Sequence, residues 1–174
     1  MIFPARNKIS NKKKIEITDF KISSIIGLKP SGIWYSCGSS WYDWIKKERM
    51  EESFLHKYIH QIYIKSNSTT DINNKHKNKL LVIKNIKDFD IFNERYKIVY
   101  YEPDKKTKLI SYYIDWQKVS KHYGGIEIRP YFKSRKLFIW YNTWDVASGC
   151  IWNINIIKKF NLIYKKIKGK YIQV

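Results

Sequence analysis

Gly27-Leu28-Lys29-Pro30-Ser31-Gly32-Ile33-Trp34-Tyr35-Ser36-Cys37-Gly38-Ser39-Ser40-Trp41-Tyr42-Asp43-Trp44 reads as a break, a strand and a helix in immediate succession. Gly27, Pro30 and Gly32 interrupt the chain. Ile33–Ser36 then forms a short strand, and Ser39 or Ser40 caps a helix running to about Ser53, with Trp41, Trp44, Ile45 and Glu48 at helical spacing. A second block of the same character runs from His122 through Gly124-Gly125-Ile126-Glu127-Ile128-Arg129-Pro130-Tyr131 and resumes at Trp140-Tyr141-Asn142-Thr143-Trp144-Asp145-Val146-Ala147-Ser148-Gly149-Cys150-Ile151-Trp152. Every Trp except Trp116, and both Cys, fall in these two blocks. Large aromatics beside small residues allow a ligand to approach the backbone closely, so the pattern points to a pocket, with the two blocks expected to meet in one sheet.

Outward from these blocks, residues 1–13 read as a basic flexible arm and 14–174 as a single α+β domain, a mixed sheet of short strands with a few helices. Ile15–Ile22 and Tyr58–Ile64 alternate as half-buried strands, and Leu80–Ile83 is a short buried one. Residues 66–79 and 100–108 read as loops. Phe89, Phe92 and Tyr96 share one helical face over 85–96, and Trp116 and Val119 do so over 114–122. Strands are expected at Ile126–Ile128, Leu137–Tyr141 and Cys150–Trp152, with a tail from Ile154 to Ile172 of undefined type.

Composition narrows the function classes. At 174 residues and 44% hydrophobic content the chain is long and apolar enough to bury a core, and no apolar run reaches the 18 residues of a membrane span. The first residues lack the apolar stretch of a signal peptide, so an intracellular location is expected: host cytoplasm, nucleus or virion if the protein is viral. Two Cys make no disulfide framework, and no His or Cys group has metal-ligand spacing. His56, His60, His76 and His122 have no Ser or Cys partner at catalytic spacing.

The formal charge of +19 suggests polyanion partners, with Lys12, Lys13, Lys14, Lys165 and Lys166 as candidate nucleic-acid contacts. Only five of the 34 basic residues are Arg, and Ala occurs only at Ala5 and Ala147. Such a bias also follows from an AT-rich coding sequence, and scarce Arg disfavours bidentate phosphate recognition.

The order of strand, Gly32-Ile33-Trp34-Tyr35-Ser36 and Ser/Tyr-bearing helix resembles the nicotinamide pocket of the ADP-ribosyltransferase superfamily, over residues 27–45 and 114–131. The resemblance implies NAD as cofactor, with Lys29, Trp34, Tyr35, Ser36 and Tyr42 binding it. Glu127, Ser36 and Tyr42 would be the catalytic residues, and Glu127 would stabilise the ribose cation as the nicotinamide bond breaks. The chain departs from the family in having no first-strand His or Arg at the matching place, Lys29 being the nearest polar residue, and in carrying Arg129 where arginine-directed members have a second Glu. The Tyr-Gly-Gly-Ile-Glu-Ile-x-Pro-Tyr and Trp-Asp-x-x-Ser-Gly-Cys-Ile-Trp strings also look like an uncharacterised family of viral and microbial proteins. Two rival readings stand beside the NAD one: a basic nucleic-acid-associated protein packaged with a viral genome, and an interaction module that has lost catalysis.

Overall fold

Three neighbouring strands built from the two blocks form the middle of the molecule: β3 (Ile33–Cys37), β10 (Ser148–Ile151) and β9 (Tyr123–Ile128) lie side by side, and every residue of β9 and β10 is buried. Strands covered on both faces read as near-continuous apolar and small residues, which is how Tyr-Gly-Gly-Ile-Glu-Ile and Ser-Gly-Cys-Ile appear in the sequence. The expectation that the blocks meet in one sheet holds.

The computed structural model describes residues 6–15, 26–48, 50, 56–101 and 110–174. The strand expected over Ile15–Ile22 lies largely outside these residues. Among the described residues, four helices, a nine-stranded mixed sheet and a smaller three-stranded sheet make one α+β domain. In the large sheet the order is β12 (Lys170–Gln173), β11 (Ile157–Ile167), β4 (Tyr58–Ile64), β1 (Arg6–Ser10), β3, β10, β9, β6 (His76–Ile83) and β5 (Thr69–Thr70). Only the β9–β6 and β6–β5 pairs are parallel. The small sheet is antiparallel, with β8 (Ile110–Asp115) between β2 (Ile26–Gly27) and β7 (Lys97–Tyr101).

Helices α2 (Ile86–Tyr96), α3 (Trp116–His122) and α4 (Ile139–Asn142) contribute to the core cluster that also takes Ile126, Ile128 and Cys150 from the sheet. The Asn85 side chain accepts from Asp88 N at 2.8 Å, and Asp115 accepts from Lys118 N at 2.8 Å, so α2 and α3 each start on a polar cap. Phe89 stacks on Trp140 with ring centroids 5.2 Å apart, and Phe92 packs against Trp116 and Trp140. A second cluster, including Ile33, Tyr35, Ile62, Val82 and Ile151, lies on the opposite face of the sheet.

Several expectations are corrected. Arg6–Ser10, read as part of a loose arm, is β1, hydrogen-bonded on both sides to β3 and β4. Leu137–Tyr141 is not a strand: α4 occupies it because Trp140 and Tyr141 are both fully buried in one aromatic cluster, whereas adjacent strand residues point to opposite faces. Helix α1 (Ser40–Lys47) stops earlier than expected, with Glu48 N bonding Trp44 O. Its Ser39 makes no cap to the backbone and donates instead to Asp43 Oδ2 at 2.6 Å. The loop expected over 66–79 contains β5 and the start of β6, and the one expected from Tyr100 begins within β7. The tail is the β11–β12 hairpin.

Candidate functional site: a tryptophan-lined cavity

Register in the centre of the sheet decides which side chains can meet. Ser148, Gly149 and Cys150 pair with Ser36, Tyr35 and Trp34 on one side and with Ile128, Glu127 and Ile126 on the other. Laterally paired residues share a face, and successive residues alternate. Trp34, Ser36, Ser148 and Cys150 therefore face one way; Tyr35, Gly149 and Glu127 face the other.

On the first face the two blocks enclose a cavity of about 410 Å³. Trp34 comes from β3, Trp41 and Trp44 from one side of α1, and Trp144 from the turn before β10. That turn is tied to α1 by the Ser40 hydroxyl, which donates to Ala147 O at 2.9 Å, and to β3 by Cys37 N bonding the same carbonyl at 3.0 Å. Trp34 meets Trp144 edge-on at 4.9 Å, and its indole N–H is held by Pro30 O at 3.1 Å. Asp145 sits in the turn with φ of 50°, a left-handed conformation uncommon for a residue with a side chain.

The polar lining is cationic and under-satisfied. Lys8 and Lys29 both border the cavity, and Lys29 Nζ lies 5.2 Å from the Trp34 ring centre. Partial burial lowers both ammonium groups from the usual lysine value, with Asp145 acting against the shift at Lys29. Trp144 is only 2% exposed, yet its Nε1 has no hydrogen-bond partner among the described residues; the same holds for Thr143 Oγ1 and His56 Nδ1, also in the lining. A buried polar atom left unpaired costs about 1–3 kcal/mol; these three are closed to a water-sized molecule, so a ligand in the cavity reaches them only where the lining shifts.

Ser36 and Tyr42 do not line this cavity. They border a neighbouring cleft of about 260 Å³ with Tyr164 and Tyr171, Ile9 being common to both spaces. Tyr42 packs edge-on to Tyr171 at 5.8 Å, and Ser36 Oγ donates to Gly38 O at 3.0 Å.

Tyr35 and Glu127 lie on the opposite face, so the three residues that the resemblance makes catalytic, Ser36, Tyr42 and Glu127, are not brought together. Glu127 is fully buried. Arg6 Nε donates to its Oε2 at 2.6 Å, the Tyr35 hydroxyl donates to Oε2 at 2.9 Å, and Arg129 Nε lies 2.5 Å from Oε1. Gly149 makes this possible: a Cβ there would lie 2.5 Å from Tyr35 Cζ, so only glycine lets the phenol cross β10 to reach the carboxylate. Burial works to lower the Arg6 pKa, but the Glu127 carboxylate outweighs it and the guanidinium is held above its ordinary value. Burial, then Glu127, raises the Tyr35 phenol well above normal. The Cys37 thiol is pushed up to about 12 by the same two causes, so it stays protonated at neutral pH.

Of the residues expected to bind or act, Lys29 and Trp34 are together in the cavity, Ser36 and Tyr42 in the adjacent cleft, and Tyr35 and Glu127 behind the sheet. Lys8, Arg6 and His56 were missed. Arg6 and Lys8 were hidden in a polar stretch without strand alternation, and His56 belongs to no local motif. Among the described residues no three His, Cys, Asp or Glu side chains are placed to hold a metal ion, and no helix is long and apolar enough to cross a membrane. No family model, curated protein or solved structure matches the chain.

Proposed function

We propose that the chain binds NAD in the tryptophan-lined cavity, as a protein of ADP-ribosyltransferase-like type in which Glu127 serves the scaffold rather than the ribose. The observation that carries this reading is a cavity of about 410 Å³ with indole walls and two lysines, whose lining residues His56, Thr143 and Trp144 also hold unpaired polar atoms. Indole faces suit a planar heterocycle, Lys8 and Lys29 suit a pyrophosphate, and Thr143, Asp145 and Ser148 offer partners for ribose hydroxyls or a carboxamide. The strand-to-helix order that prompted the resemblance places Trp34, Trp41 and Trp44 around this space. Turnover through Glu127 is not part of the proposal, because its carboxylate is enclosed by Arg6, Arg129 and Tyr35.

A ligand that binds only the folded state raises its stability by mass action, about 2.7 kcal/mol at a concentration one hundred times Kd. NAD is expected to raise the melting temperature of the wild-type protein, and Trp34→Ala and Lys29→Gln are each expected to diminish that rise. A melting temperature unchanged up to millimolar NAD overturns the proposal.

A further inference from the structure

Charge is segregated along this chain in a way that base composition does not explain. Residues 1–15 and 146–174 contain no Asp or Glu, and all 15 acidic residues lie between them. An AT-rich coding bias supplies Lys but does not remove acids from two separate segments. The fold brings residues 11–14 of the first segment and the β11–β12 hairpin of the second to one end of the large sheet, around the start of β4. The His60 ring Nε2 is 2.9 Å from Lys13 O, Lys57 N donates to Asn11 Oδ1 at 3.1 Å, and Lys166 N donates to Lys57 O at 2.7 Å. Lys165 pairs laterally with Tyr58 on β4 and with Ile172 on β12. Lys12, Lys13, Lys14, Lys57, Lys168 and Lys170 are exposed there.

The Tyr42–Tyr164–Tyr171 cleft opens beside this basic end. Tyr164 is 37% exposed, and Lys166, two residues further along β11, shares its face and lies opposite Tyr171. On the other wall, Lys46 Nζ lies 4.5 Å from the Tyr42 ring centre. Aromatic rings able to stack on a base, bordered by lysines able to follow a backbone, are the two components of sequence-tolerant single-strand binding.

We propose that this end of the sheet is a docking surface for single-stranded nucleic acid, with one base entering the tyrosine cleft and the flanking phosphates running along the lysines of β11, β12 and the segment after β1. The surface is separate from the tryptophan-lined cavity and stands whether or not that cavity binds NAD. The cleft distinguishes this partner from a polyanion without bases, which the lysines alone would attract equally.

Fluorescence anisotropy with labelled dT12 and rU12, each over a range of salt, tests the surface, with polyphosphate of matched charge as competitor. Neutralising Lys46 and Lys166 together (Lys46→Gln, Lys166→Gln), the lysines beside Tyr42 and Tyr171 of the cleft, is expected to reduce the log–log salt slope by roughly 1.4, since each phosphate contact on a single strand contributes about 0.7. The exposed pair Lys84 and Lys87, changed to Gln in the same way, serves as the control and is expected to leave the slope unchanged. Tyr164→Ala is expected to weaken binding by on the order of tenfold through the lost stack, and Tyr164→Phe to retain it. A preference for dT12 over rU12, or the reverse, identifies which strand the surface takes. If both lysine pairs lower the slope equally, or if polyphosphate competes as well as the oligonucleotides and Tyr164→Ala binds like wild type, the proposal fails. Melting temperatures of the variants separate a lost contact from a lost fold.

Discussion

The two faces of the central strands treat their polar groups in opposite ways. Behind the sheet, the Glu127 carboxylate is enclosed by Arg6, Arg129 and Tyr35, and Gly149 keeps the space clear for that contact. In front of it, Trp144, Thr143 and His56 each bury a polar atom with no partner, in a cavity that also takes two lysines. The Glu127 carboxylate is held by the hydrogen bonds of Arg6 and Tyr35 and by the ion pair with Arg129, whose Nε makes no hydrogen bond of good geometry; the unpaired groups around the cavity lack any such counter-charge. The carboxylate most conspicuous in the sequence thus belongs to the scaffold, and Trp34, Trp41, Trp44 and Trp144 form the candidate site.

The largest expected effect is on the satisfied face. Glu127→Gln leaves two buried or half-buried guanidinium groups without their anion, and is expected to lower unfolding stability by about 3–5 kcal/mol in urea titrations. A loss below about 1 kcal/mol would mean that the network is not the clamp described. Gly149→Ala comes next: its methyl must displace the Tyr35 ring or Ile126 O, 2.7 Å away, and is expected to destabilise by about 1–3 kcal/mol. Near-neutral behaviour would show that Tyr35 has room to withdraw from Glu127.

These two faces also mark how far sequence pattern reaches. The strands at 33–36, 58–64 and 126–128 and the helix at 85–96 were legible because their apolar spacing is set by local burial. Strand β1 was not, since Arg6-Asn7-Lys8 reads as a solvated run and gains its burial only from Glu127, far along the chain, and from the flanking strands β3 and β4. For Glu127 itself, alternation with Ile126 and Ile128 correctly places it on the other face of the strand, but alternation does not say what covers that face. The convergence of Trp34, Trp41, Trp44 and Trp144 was foreshadowed by the two dense blocks. Its polar lining depends on Lys8 and His56, which no local motif joins to them.

On the unsatisfied face, the account expects small stability effects and larger binding ones. Thr143→Val removes a buried hydroxyl that has no partner, so stability is expected to stay within about 1 kcal/mol of wild type or to rise, while NAD affinity falls. A loss of several kcal/mol would show that the hydroxyl already has a structural role.

The smallest effect is a pH dependence. A lysine whose pKa is lowered in the folded state binds fewer protons there than in the unfolded chain at pH values between its lowered pKa and 10.5. Its unfavourable contribution is fully present below the folded pKa and is relieved as pH rises through that window. Stability of the wild type relative to Lys29→Gln is therefore expected to increase as pH approaches 10.5, while its advantage in NAD affinity shrinks as the ammonium is lost. Parallel pH profiles for the two proteins would contradict the placement of Lys29 at the cavity.

The most direct test follows the indole and guanidinium N–H resonances in nitrogen–proton correlation spectra as NAD is added. Trp144 Nε1–H has no partner, whereas Trp140 Nε1–H already donates to Asn93 Oδ1 at 3.0 Å and Trp152 Nε1–H to Tyr123 O at 2.7 Å. Arg6 Nε–H reports on the Glu127 network. The Trp144 resonance is expected to shift in a saturable way while those of Trp140, Trp152 and Arg6 stay in place. A shift at Arg6 with Trp144 unmoved would contradict this expectation, putting the ligand on the face here assigned to the scaffold.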